Sequence, residues 1–228
     1  VAASPIAHGG AIYVRAGNNS VTGAVLAGNG AATTGNNSFA NASGGGLFSE
    51  SATLSVTNSI LRINQTINPG SDEAGTAVTI NNTLTQRNVL FANCDLVANT
   101  ANTADLTNIA ALLAVNASPV LTNCIVFNNT ASGLLNLGGA VVPTYCDLQE
   151  AAVGDGNISV TPAFVSLANG NYRLQSSSPC IDAGRDTSAP ADGGVTVDLQ
   201  GTSRGFDGNP ARNADGSNYD IGAYEFTQ

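Results

Sequence analysis

The chain contains no lysine, no methionine and no tryptophan, and His8 is its only histidine. With one imidazole, a Ser–His–Asp triad or a histidine-rich zinc site has almost no material. The seven basic residues are all arginine, against sixteen acidic ones, for a formal charge of −9. Phosphate binding needs a basic stripe, so the balance argues against a nucleic-acid partner. The longest apolar run, Ile109–Val115, falls far short of a membrane span. Absence of methionine, an initiator included, leads us to expect a mature, processed and secreted chain.

Charged residues make up 10% of the 228 positions, where globular domains carry about 25%. Asparagine (27) and glycine (26) take their place, so the surface is expected to be amide, hydroxyl and glycine. Hydrophobic residues reach 43% with only 5% aromatics, so the core must be built from Val, Leu, Ile and Ala. Side chains of that size suit repetitive stacking.

Repetition is what the sequence shows most plainly. Aligning Ala24, Ser59, Cys94 and Cys124 brings Asn29, Asn64, Asn99 and Asn129 into one column, five residues on. Leu26, Leu61, Leu96 and Val126 form a second column; Val21, Val56, Phe91 and Leu121 form a third. Asn58, Asn93 and Asn123 directly precede three anchors, and a shortened copy centres on Cys146 and Leu148, with Ala151 at its asparagine position. The anchors are 35, 35, 30 and 22 residues apart, and such periods mark solenoids, propellers or arrays.

The segments between anchors decide among these. They hold short apolar runs broken by Gly, Asn and Ser, with no capped amphipathic helix. Gly-Gly-Ala-Ile at 9–12 recurs as Gly44–Leu47, Gly75–Val78 and Gly138–Val141, and Ile109–Val115 reads as a strand buried on both faces. The fold class is therefore all-β: a right-handed parallel β-helix, a solenoid of about five to six rungs. It spans 1–175, with an irregular capping segment over 176–228 packed on the end of the coil as part of one structural unit. Ile158–Val165 and Tyr172–Leu174 are expected to form a last partial rung, and 30–43 and 66–75 to be loop excursions.

Alternation sends the Ser59, Cys94 and Cys124 row inward with the leucine column, and the row Val25, Ile60, Asp95, Ile125 and Asp147 outward. Asn29, Asn64, Asn99 and Asn129 are expected to occupy left-handed corners and to bond amide to amide along a ladder. Cys94, Cys124 and Cys146 share one repeat position, which favours free buried thiols. A Cys146–Cys180 bridge is the alternative.

The pattern resembles the right-handed parallel β-helix proteins of the pectate-lyase-like superfold. The tail is more specific. Asn169–Leu174, Ser178–Gly184, Asp198–Gly201 with Arg204, and Asp220–Phe226 resemble the ending of choice-of-anchor Q domain proteins. Those are bacterial secreted or surface proteins in which a β-helix precedes a cell-surface anchoring signal. The glycine elements are also similar to those of polymorphic outer-membrane adhesins. On the sequence as it stands, no anchoring signal is expected after Phe226 and no capping helix before the first rung. Either this is a piece of a longer protein, or something else covers that rung.

The resemblance implies where chemistry would sit. Uronate lyases of this superfold carry calcium-binding carboxylates and an Arg or Lys base on one outer strand face. Arg62 and Asp95 fall on that face here, where a surface salt bridge is the plainer reading. Glycoside hydrolysis with inversion needs carboxyls about 6.5–9.5 Å apart, and Asp95 and Asp147, two rungs apart, come to about 9.6 Å. Ile125 lies between them. Asp207, Asn209, Asp215 and Asp220 offer oxygen ligands of the kind Ca²⁺ uses, although Asx turns within the cap account for them. Sequons such as those at Asn18, Asn36, Asn64 and Asn116 follow from composition. The expected function is a non-enzymatic extracellular or cell-surface structural or adhesive protein, self-assembling head-to-tail into filaments, with no cofactor. The alternative is a carbohydrate-active or carbohydrate-binding module acting on extracellular polysaccharide.

Overall fold

The computed structural model describes residues 6–33, 41–67, 74–82, 87–102, 107–130, 132–150, 153–210, 212 and 215–227. Much of the expected excursions, 34–40 and 68–73, and the sequon at Asn36 lie outside the described residues.

The chain winds as a right-handed parallel β-helix of five turns. The first carries β1 (Ile6–His8), β2 (Ile12–Arg15), β3 (Asn18–Thr22), β4 (Val25–Ala27) and β5 (Gly30–Ala32). The second repeats them as β6 (Asn41–Ser43), β7 (Leu47–Glu50), β8 (Thr53–Thr57), β9 (Ile60–Arg62) and β10 (Gln65–Ile67). The third holds β11 (Ala74–Asn81), β12 (Val89–Ala92), β13 (Asp95–Val97) and β14 (Thr100–Asn102). The fourth holds β15 (Ile109–Val115), β16 (Val120–Thr122) and β17 (Ile125–Phe127), and the fifth β18 (Ser132–Leu137), β19 (Val142–Thr144) and β20 (Asp147–Leu148). Like strands pair in parallel into stacked sheets, three of them five-stranded: β2-β7-β11-β15-β18, β3-β8-β12-β16-β19 and β4-β9-β13-β17-β20. Among the described residues no helix is long and apolar enough to cross a membrane.

Repeat spacing becomes columns because parallel pairing sets equivalent residues over one another. Leu26, Leu61, Leu96, Val126 and Leu148 are register partners from turn to turn. So are Val21, Val56, Phe91 and Leu121. These rows, with Ile80, Leu112 and the anchors Cys94, Cys124 and Cys146, make the interior core. Ser59 is equally buried at its position of the anchor column. β15 is buried on both faces, as its Ala and Leu content requires.

Left-handed backbone recurs at the two corners that flank β4, β9, β13 and β17. At one stand Gly23, Asn58, Asn93, Asn123 and Tyr145, with φ of 63, 47, 54, 53 and 52°. At the other stand Gly28, Ile63, Ala98 and Asn128, with φ of 67, 53, 55 and 56°. The left-handed corner therefore falls one residue before the Asn29, Asn64, Asn99 and Asn129 column, and that column is free for a different task. The recurrent glycines are explained by close approach: a Cβ on Gly45 would lie 2.3 Å from the carbonyl oxygen of Thr76 one turn on.

All four cysteines are free and buried, and no Cys146–Cys180 bridge forms. Cys146 belongs to the interior core, whereas Cys180 belongs to a second cluster outside the coil. Burial raises the thiols of Cys124, Cys146 and Cys180 well above their ordinary range.

The position of the tail differs from expectation. Residues 176–228 were expected over the end of the coil, but the described part runs along its flank, reaching Asn58, Asn93 and Asn123 on three successive turns. Ile158 does form a parallel bridge with Asp147. Beyond it, β21 (Phe164–Ser166) and β22 (Asn171–Leu174) are not a further rung but an antiparallel hairpin. Its 3₁₀ turn at Leu167–Asn169 closes on Gly170 at φ 71°, which reverses the chain direction. Ile60, Val97 and Ile125 face outward, and the tail lies against them because Tyr172, Leu174, Ile181, Ile221 and Ala223 need that apolar surface.

Candidate functional site on the flank of the coil

The outer face of β4-β9-β13-β17-β20 holds the carboxylates that sequence reasoning singled out. Ile60, Asp95, Ile125 and Asp147 form one register column, pointing away from the interior. They do not meet solvent. Asp95 is 0% and Asp147 1% exposed, both beneath the tail. Asp95 Oδ1 accepts the amide of Ala223 at 3.1 Å, and Oδ2 has no hydrogen-bond partner among the described residues. Asp147 Oδ1 accepts the amide of Val160 at 3.0 Å, while the Cys180 thiol lies 3.4 Å from Oδ2. Burial pushes Asp95 up to about 7, opposed by the Ala223 amide and the Arg204 charge. It pushes Asp147 up to about 6, opposed by the Val160 amide and Cys180.

Arg62 is not paired with Asp95. Its register partner is Val97, and its guanidinium lies 5.8 Å from the centre of the Tyr172 ring. The expected surface salt bridge gives way to a contact with the hairpin.

The charge that matters here is Arg204, which sequence reasoning named only within the tail resemblance. It pairs with Glu225 at 3.3 Å, both side chains fully buried. It also donates to Asn58 Oδ1 and Gly222 O, each at 3.0 Å. Burial lowers its pKa, while Glu225, Asp220, Asp198 and Asp95 favour its charged form. Around it the carboxylates accept backbone amides. Glu225 takes Gly205 at 2.7 Å and Phe206 at 3.1 Å. Asp198 takes Gln200 and Thr202 at 2.8 Å and Glu225 at 3.1 Å. A segment without regular strands must satisfy its N–H groups somewhere, and these side chains do it.

The asparagines at the first left-handed corner complete the contact. Asn58 Nδ2 donates to Val197 O at 2.6 Å. Asn93 Oδ1 accepts from Thr187 Oγ1 at 2.8 Å. Asn123 donates to Arg185 O at 2.7 Å and accepts the Arg185 amide at 2.9 Å. Their recurrence was visible in the sequence; that they bind the tail was not, since no local signal names a partner so far along the chain.

The calcium candidates do not converge. Asp215 accepts the amides of Asp186 at 2.9 Å and Ser217 at 2.8 Å. Asp220, raised by burial and by Glu225, accepts those of Asp182 and Phe226. The Asn209 amide donates to Asp182, and Asp207 is exposed. Among the described residues no three His, Cys, Asp or Glu side chains are grouped to hold a metal.

At the other corner the amide ladder is continuous. Asn29, Asn64 and Asn99 each donate Nδ2 to Oδ1 of the asparagine one turn on, at 3.0, 3.1 and 3.0 Å. The backbone amide of each bonds the same oxygen. Asn129 ends the series on Gln149 Oε1 at 3.1 Å. Gln149 follows Cys146 by three residues rather than five; its extra methylene bridges the difference.

The chain matches no family model, no curated protein and no solved structure. Its architecture defines the class: a parallel β-helix with a laterally docked tail.

Proposed function

We propose that this chain is a non-enzymatic extracellular or cell-surface scaffold, structural or adhesive in role. The observation that carries the reading is the use made of Asp95 and Asp147, the best-placed candidate acids. Both are buried: Asp95 accepts the amide of Ala223 in the tail, and Asp147 accepts that of Val160 and faces the Cys180 thiol. A general acid or base must reach the proton it transfers, and neither carboxylate opens to substrate. The amide-rich, lysine-free surface and the resemblance of the tail to choice-of-anchor Q endings support a secreted bacterial protein. No cofactor is required by this reading.

A second reading, carbohydrate binding, is favoured by one feature. A groove of about 380 Å³ runs over β8, β12 and β16 beneath Pro190–Asp192, lined by Asn19, Ser55, Asn88, Leu90 and Val120. A glycan array, with a screen for unsaturated uronate and reducing-end products, separates the two. The scaffold reading predicts no turnover. Turnover abolished by Asp95→Asn or Arg62→Ala reverses the ranking.

A further inference from the structure

Arginine is the only strongly basic residue in a chain of net charge −9. Among the described residues, Arg15, Arg185 and Arg204 each pair with a carboxylate. Arg62 and Arg173 pair with none there, and both stand at the hairpin of β21 and β22. The Arg62 guanidinium lies 5.8 Å from the centre of the Tyr172 ring, and that of Arg173 lies 5.3 Å from the centre of the Tyr224 ring. Both positive charges bear on the Tyr224 phenol. A guanidinium held over an aromatic ring uses its face for that contact and keeps its coplanar N–H donors for a ligand at its edge.

The surroundings fix these groups in place. Tyr172 meets Phe164 edge-on at 5.3 Å across the hairpin and is 2% exposed. Its buried hydroxyl, with the Arg62 charge beside it, makes no hydrogen bond among the described residues. Gly170 lets the hairpin turn close on Arg62, since a Cβ there would lie 3.0 Å from Nη1. Tyr224 is held through both neighbours, by the Ala223 amide on Asp95 and the Glu225 carboxylate on Arg204. Asp95 and Asp198 also bear on the Tyr224 phenol, but both are buried and turned to tail amides. Ala27 and Val97, the register partners of Arg62, bring no charge.

We propose that Arg62, Arg173 and the Tyr172 hydroxyl form a binding site for a tetrahedral oxyanion, the phosphate or sulfate ester group of a partner molecule. Two guanidinium forks and a phenol supply donors from separate directions, which suits the several oxygens of a phosphate or sulfate better than the two of a carboxylate. Elsewhere an acidic surface repels such a group, so two arginines without carboxylate partners decide where it lands. The site exists only with the tail docked, because Tyr172, Arg173 and Tyr224 belong to the hairpin and tail while Arg62 belongs to the coil. An anion bound there therefore holds the docked state. The site goes beyond the scaffold reading, and its occupancy is measured without reference to turnover.

Isothermal titration calorimetry of the intact chain with inorganic phosphate, inorganic sulfate and acetate, in chloride buffer, tests the proposal. Phosphate and sulfate are expected to bind saturably at one site and acetate far more weakly; the tighter of the two names the ester. Arg62→Gln and Arg173→Gln are each expected to weaken binding roughly tenfold or more, and Tyr172→Phe by a smaller factor, with circular dichroism unchanged. Arg87→Gln, at an exposed arginine elsewhere, is expected to leave binding as it is. Saturating phosphate is also expected to slow proteolysis of the tail in wild type and not in Arg62→Gln, because a ligand of the docked state stabilises it. The absence of saturable binding by either anion overturns the site. So does acetate that binds as tightly, or an Arg87→Gln variant weakened as much as Arg62→Gln.

Discussion

Asp95 Oδ1 and the amide of Ala223 are joined by a 3.1 Å hydrogen bond across 128 residues of sequence. One partner is a strand residue in the third turn of the coil; the other lies in a tail without strands. The bond is one of many made the same way, with an acid or an asparagine on the flank meeting the tail.

Arg204 is the positive charge at the centre of that contact. Replacing it with methionine leaves Glu225 buried without its ion-pair partner, and Asn58 Oδ1 and Gly222 O without their donor. Breaking one side of a buried pair costs about 3–5 kcal/mol. Limited proteolysis of Arg204→Met should cut within the tail before the coil.

Acidity should strengthen the docking. Asp95 titrates near 7 and Asp147 near 6 when folded, against 3.8 when unfolded. The folded state therefore holds these protons more tightly. Their contribution is full below pH 3.8 and is lost as pH rises through about 6 and then 7. Each pKa unit is worth about 1.4 kcal/mol, so the melting temperature should fall by several degrees between pH 5 and pH 8. Asp95→Asn keeps an acceptor for Ala223 without a charge; it should raise the melting point at pH 8 and leave it little changed at pH 5.

Asn99 bonds at both ends inside the ladder: it accepts from Asn64 and donates to Asn129 Oδ1 and Leu61 O. Asn99→Ala strands those groups in a buried site and should destabilise by at least about 2 kcal/mol, since each unmet buried group costs roughly 1–3 kcal/mol. Asn29, half-buried at the ladder's end, should cost less when replaced. Urea denaturation of the two variants, side by side, measures the difference.

Ile63 occupies a left-handed corner at φ 53° and is 50% exposed. A β-branched side chain there costs about 1–2 kcal/mol, and little burial repays it. Ile63→Gly should raise the melting temperature by a few degrees, whereas the same change at buried Leu61 should lower it steeply.

The columns were legible because one period governs them: side chains 22 to 35 residues apart in sequence become register partners. Whether an outward row meets solvent was not legible. Alternation puts Asp95 and Asp147 on the outer face, but only the tail's apolar residues, far along the chain, decide that the face is covered. Ile60 and Ile125 in the same column were the available hint, two isoleucines on a row supposed to be wet. Gln149 escaped notice because it breaks the five-residue spacing, and Arg204 because nothing local tells a buried guanidinium from an exposed one. The placement of the left-handed corner was out by one residue, since asparagine suits both a corner and a ladder.

On the proposed reading, Asp95 on the flank of the coil serves to hold the tail in place. Hydrogen exchange by mass spectrometry on wild type and Asp95→Ala tests it most directly. The account predicts that amides of 218–227 are protected in wild type and lose protection together in the variant, while β7, β8 and β9 keep theirs. A tail that exchanges freely in wild type, or stays fully protected without Asp95, would contradict it.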